Sequence, residues 1–225
     1  RRMAEYGRNH GAIGVLNTDW GDYGHINLFG SSMPGMIYGA HLSWNPVTEE
    51  TDFTDLYKAI SRIEYGDTSE KLVSLLHQLS GRQGCSWYDV VRWKELQHNQ
   101  HDEVEVLSNL NVERILNGYQ TALDVEKELL TLSLGIRHNH FDLQEFMISS
   151  KSIQLIDTFV LTLIQDKVGT QEAVPALSKL ELAAALEIWF TEYTAIWRAR
   201  NKESELYRIR EVITYMCGYL RDTAL

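Results

Sequence analysis

Basic side chains are scarce in these 225 residues: 21 Lys and Arg stand against 31 Asp and Glu, a formal charge of −10 with histidine neutral. No basic stripe is present. Nucleic acid is therefore not an expected partner, because counterion release from phosphates needs clustered Lys and Arg. No uninterrupted run of about 18 apolar residues and no signal-peptide pattern occur, so neither a membrane span nor an export address is expected. The compartment stays open, and is cytoplasmic if the intact protein carries no export signal. Only two cysteines are present, Cys85 and Cys217, far apart and outside any CxxC spacing. Both are expected to be reduced packing residues. Prolines number three, Pro34, Pro46 and Pro175, each where a loop or a first helical turn fits.

What is present divides into two textures. The hydrophobic fraction of 44% and charged fraction of 23% suit an ordinary globular chain. From Arg1 to Pro46 glycine is dense (Gly7, Gly11, Gly14, Gly21, Gly24, Gly30, Gly35 and Gly39), and beyond it helical periodicity takes over. Met3 to His10 has the pattern of a helix end that Gly11 caps. Ala12 to Thr18, AIGVLNT, is a short apolar run suited to a strand buried on both faces. SMPGMIYGAHLSWN holds a short helix entered at Pro34 and a second brief strand over His41 to Trp44. Helix, strand, polar loop, helix, strand is the grammar of a parallel α/β sheet or βα-barrel. Two such strands are marginal alone, so the segment needs neighbours: preceding sequence, a partner chain (a homo-oligomer included) or the helical region. The opening Arg1-Arg2-Met3 enters patterned sequence at once, which suits a cut edge with further chain before it.

The second region repeats apolar spacings of three and four. Helices are expected within residues 51–66, 67–81 and 87–96, then 110–134, 141–167, 176–200 and 203–221, packed as a bundle. Thr51 or Asp52 would cap the first, and Asp67 or Ser69 the second. Trp87, Trp93, Trp189 and Trp197 fall at core spacing, and His98, His101, His138 and His140 at solvated helix ends. Asp102-Glu103 is an adjacent acid pair that either does catalytic work or simply opens a helix, where acids suit the positive end of the dipole.

Chemistry concentrates in GVLNTDWGDYGH, Gly14 to His25. In parallel sheets and barrels, sites gather beyond the carboxyl ends of strands, and Asn17, Asp19, Trp20, Asp22, Tyr23 and His25 occupy such a position. Two readings stay open. The cluster lines a site, or Asp19 caps a turn while Trp20 fills a rim. A metal is not expected, because no second His or Cys stands at helpful spacing from Asp19, Asp22 and His25. No nucleotide or other cofactor is expected either, since GDYGH lacks the Lys-Ser/Thr ending and no GxGxxG follows. Trp44 in HLSWNP either stacks on a sugar's C–H face, with Asn45 or Asp19 bonding hydroxyls, or covers core.

GVLNTDWGDYGH followed by SSMPGMIYGAHLSWN resembles the end of the catalytic barrel in glycoside hydrolase family 20, the β-N-acetylhexosaminidases. The likeness is closest to the bacterial branch that carries a helical domain after the barrel, and IWRARNKESELYRI resembles that branch's C-terminal region. The resemblance implies a mainly α chain: 1–46 as the last strands of a (β/α)8 barrel, and 47–225 as an α-helical domain. It implies retaining, substrate-assisted hydrolysis of terminal N-acetylhexosamine, with an Asp-Glu pair on an earlier strand doing the chemistry. No HxGxDE-like stretch occurs here, so the general acid is missing and the chain alone is expected to be inactive. Residues implied to contact the sugar are Asp19, Trp20, Tyr23, Trp44 and Asn45. Many members place Glu two residues beyond the stacking Trp, where this chain has Pro46. The partner implied for the intact enzyme is an N-acetylhexosamine-containing glycan. Two other readings are a stand-alone helical interaction module and a non-hydrolytic sugar-binding remnant.

Overall fold

The computed structural model describes residues 2–21, 25–44, 53–81, 84–96, 100–169 and 177–224, with Gln100 and His101 described by backbone alone. Among them the regular structure is helical: α1 (Arg2–Asn9), α2 (Phe29–Trp44), α3 (Phe53–Tyr65), α4 (Leu72–Ser80), α5 (Trp87–Glu95), α6 (Gln100–Ser108), α7 (Val112–Ser133), α8 (His140–Lys167), α9 (Lys179–Arg200) and α10 (Leu206–Asp222). A 3-10 turn over Glu203–Glu205 leads into α10.

Helix α8 is the axis. At 28 residues it is about 42 Å long, and α2, α6, α7 and α9 all pack on it. Every residue from Gln154 to Ile164 is buried. One layer holds Trp93, Phe159, Leu186, Tyr193 and Ile213; the other holds Tyr65, Leu72, Leu129 and Phe146. By length and a mean hydropathy of 1.3 this helix is apolar enough to cross a membrane, which the search for an unbroken apolar run missed. Here 78% of that apolar window is buried inside the protein, as befits a core helix. Its polar members are mostly satisfied locally: Thr158 and Thr162 hydroxyls donate to the carbonyls of Gln154 and Thr158 at 2.7 and 2.8 Å, and Ser150 donates to the Ala122 carbonyl at 2.8 Å.

The helical expectations hold closely, including α1 ending before Gly11 at φ 74°. Both cysteines are buried free thiols, and Trp93, Trp189 and Trp197 are core. Thr51 and Asp52 lie outside the described residues. The buried Asp67 carboxylate opens α4 by accepting from the Ser69 hydroxyl at 2.6 Å and from the amides of Ser69, Lys71 and Leu72 at 2.9 Å each. Burial pushes this carboxyl's pKa up, and those bonds outweigh it, holding the group below its usual range. That stabilisation is present above the ordinary carboxylate pKa and is lost as pH falls through the depressed value. Asp67→Ala should cost about 1–2 kcal/mol, read as a lower urea midpoint with an unchanged slope.

The two strands are where expectation and structure part. Residues 12–18 take no regular form and are exposed throughout. Residues 41–44 are the last turn of α2, which begins five residues before Pro34 rather than at it. The reason lies in backbone accounting. A strand leaves its N–H and C=O groups for neighbours to satisfy, and no strand exists among the described residues, whereas a helix satisfies them within itself. The segment from Phe29 onward therefore coils and lays Gly30 and Leu42 into the body. Among the described residues, 13–21 make no backbone–backbone hydrogen bond.

Candidate functional site

A cavity of about 690 Å3 opens between residues 17–21, the first half of α2, the end of α4, the start of α5 and the middle of α8. Each wall follows from local sequence. Asn17 donates through Nδ2 to the Gly35 carbonyl at 3.4 Å, and the Ser32 hydroxyl donates to Asp19 Oδ2. These two bonds tie the extended segment to α2. Trp20 donates through Nε1 to the Thr18 hydroxyl at 2.9 Å and keeps its indole face exposed. On the opposite wall Ser86 and Asp89 form a reciprocal capping box that starts α5, which sets Trp87 and Tyr88 in its first turn beside the cavity.

The floor belongs to α8. Phe146, Ser149, Ile153 and Ile156 recur at three and four residues, one helix face, with Ser152 and Asp157 beside them. Ser149 and Ser152 donate their hydroxyl protons to the carbonyls of Glu145 and Ser149, both at 2.7 Å. Asp157 is 1% exposed. Its Oδ1 accepts from Cys85 Sγ at 3.1 Å, while Oδ2 has no hydrogen-bond partner. Burial pushes this carboxyl up to about 7, with the thiol's bond working the other way. Burial likewise raises the Cys85 thiol well above its usual value, with the Asp157 carboxylate adding to it. A thiol held protonated is a poor nucleophile.

A second buried charge cluster fixes the α2 wall. Arg200 of α9 pairs with Asp142 Oδ1 at 2.5 Å and Glu145 Oε1 at 3.4 Å, and the Gly30 amide donates to Glu145 Oε2. Burial pushes the Glu145 carboxyl up, against the bond from Gly30 and the charge of Arg200. Removing the Arg200 charge is thus expected to free the start of α2.

The sequence-derived residues divide. Asp19 and Trp20 line the cavity, as do Asn17 and His25. Tyr23 and Asn45, with Asp22 and Pro46, lie outside the described residues. Trp44 is 92% exposed at the far end of α2. Twelve residues separate it from Ser32, about 18 Å of helix rise, so the indole and Asp19 are not brought together. Trp87, expected in the core, is half-buried at the cavity. Glu103 is buried, accepting from Trp93 Nε1 at 2.5 Å and pairing with Lys167 at 3.5 Å, a structural role. His138 and His140 are exposed. Among the described residues no three His, Cys, Asp or Glu side chains are grouped to hold a metal ion. Asp157, in QLIDTFVLTLI, was not among the sequence-derived residues; its place at the cavity comes from packing with Cys85, 72 residues away.

Comparison with protein-family models, with curated proteins and with solved structures finds no match.

Proposed function

We propose that this chain is the C-terminal portion of a β-N-acetylhexosaminidase-like glycoside hydrolase, in which residues 1–46 contribute the carbohydrate-facing end of a (β/α)8 barrel and residues 47–225 form a helical domain. One observation carries the reading: Asn17, Asp19 and Trp20 of the TDWGDYGH stretch stand together on the wall of a large cavity, a carboxylate and an indole being the pair that binds sugar hydroxyls and a sugar's apolar face. The exposure of Ile13, Leu16, Trp20 and Trp44, each at least 79%, supports it further. Among the described residues, 13–21 make no backbone–backbone hydrogen bond, which suits a strand that pairs with a neighbouring sheet. In this reading Asp19 bonds hydroxyls, Trp20 stacks, and Trp44 joins them only when residues 41–44 exchange helix for strand beside barrel neighbours. The general acid is supplied by an Asp-Glu pair outside these residues.

The 225-residue chain should accordingly show no turnover of a chromogenic N-acetylglucosaminide. The complete protein read from its gene should show turnover that Asp19→Ala reduces by at least about tenfold. A reading frame without an upstream Asp-Glu strand end, or turnover by the 225-residue chain that survives Asp19→Ala, overturns the reading. The same exposed apolar residues favour one other reading, a helical protein-interaction module. It requires catalysis to be absent from the complete protein.

A further inference from the structure

Two side chains of the helical body reach the glycine-rich segment, one on each side of Leu28. Tyr193 of α9 donates through its hydroxyl to the Ile26 carbonyl at 3.1 Å, and Glu145 of α8 accepts from the Gly30 amide. Between these tethers Leu28 is 1% exposed, packed in the same core layer as Tyr193. The phenol has little room to move. Trp189, Tyr193 and Trp197 recur at four residues on α9, with the indole centres 5.0 and 5.8 Å from the phenol ring. Each indole is itself anchored, Trp189 donating to the Ile148 carbonyl and Trp197 to that of Lys202, both at 3.0 Å. Burial, with the Glu145 charge adding to it, pushes the phenol's pKa up, so the hydroxyl stays a donor. At the other tether Gly30 permits the approach: a Cβ there would stand 2.6 Å from Glu145 Oε2 and 3.2 Å from the Asp142 backbone. From Gly30 the path to the site is short, because Ser32, two residues on, donates to Asp19.

We propose that Tyr193 is a positioning residue for the carbohydrate site: through Ile26 it fixes the chain just beyond the TDWGDYGH stretch and, together with Glu145 at Gly30, sets where Asp19 and Trp20 stand. The inference rests on the glycosidase reading and goes beyond it by giving the helical domain a part in the site. Tyr193 itself touches no substrate and acts through the segment it holds. Both tethers lie outside residues 13–21 and 41–44, the segments that form strands in that reading, so they are compatible with it. Contacts from Asp19 and Trp20 to a sugar hold the bound substrate and the transition state alike. A displaced segment therefore weakens binding and leaves the barrier from the bound state nearly unchanged.

Tyr193→Phe removes one oxygen and leaves the ring between its two indoles. In the complete protein read from its gene, it is expected to raise KM for a chromogenic N-acetylglucosaminide about three- to tenfold, the worth of one hydrogen bond, with kcat kept within about twofold. In an Asp19→Ala, Trp20→Ala background the same change should alter KM by less than about twofold, because the contacts it positions are gone. A hydroxyl that only supported the fold would lower the melting temperature and leave KM where it was. An unchanged KM in Tyr193→Phe, while Asp19→Ala still costs turnover, overturns the inference and leaves the glycosidase reading standing. An equal rise of KM in both backgrounds overturns it too. A complete protein without turnover takes both down. In the 225-residue chain, Tyr193→Phe should speed amide exchange over residues 25–28, and exchange unaltered there overturns the tether independently of catalysis.

Discussion

Asp157→Asn stabilises the chain at pH 8 by about 4 kcal/mol and changes its stability little at pH 4. The sign follows from where the proton resides. Burial raises the Asp157 carboxyl to about 7 in the folded protein, against an ordinary value of 3.8. Between those values the folded state holds a proton that the unfolded state has released, so stability falls as pH rises from about 4 to about 7 and then levels. Each pH unit of that window is worth about 1.4 kcal/mol, which gives the total. Asn keeps the shape and an oxygen for the Cys85 thiol but carries no charge to desolvate. Urea unfolding of both chains at pH 4, 6 and 8 measures the difference. A gain that fails to grow with pH would show that the Asp157 environment is wetter than a sealed cavity floor.

Arg200→Ala acts in the opposite direction and on another wall. It leaves Asp142 and Glu145 side by side with side-chain exposures of 5% and 0% and, among the described residues, no other ion-pair partner. Removing one partner from a buried charge cluster costs about 3–5 kcal/mol, and a loss near the lower figure fits an arginine that is 29% exposed. The guanidinium also stacks over Phe141, 4.4 Å from the ring centre, and lies 5.9 Å from Phe29. Its loss therefore reaches the first turn of α2, where Gly30 donates to Glu145 and Ser32 holds Asp19. Adding Glu145→Gln to Arg200→Ala should recover part of the stability by deleting one stranded charge. Faster amide exchange over residues 29–33 in Arg200→Ala, with α10 unaffected, checks that the change is local to this wall.

The helical body was legible because its signals are local. Apolar residues at three and four spacing, Asp67 as a cap and Gly11 as a stop each act within one or two turns of chain. The beginning departs from the expected strands for the complementary reason. AIGVLNT has the composition of a buried strand, yet a strand exists only where other strands complete it. Without them Ile13 and Leu16 stand in solvent, and His41 to Trp44 continue a helix. Asp19 and Trp20 were visible as chemistry beside an apolar run. Asp157 and Ser149 were hidden because long-range packing makes the site. Cys85 is 72 residues from Asp157 in sequence, and nothing in the spacing of either announces the other.

Hydrogen exchange at pH 6, with and without about 50 mM N-acetylglucosamine, bears most directly on whether carbohydrate sits against Asp19, Trp20 and the α8 floor. Slower exchange confined to residues 17–21 and their neighbours on the cavity wall, lost in Asp19→Ala, is the predicted result. Exchange unchanged by the sugar, or slowed only around Trp44, contradicts it.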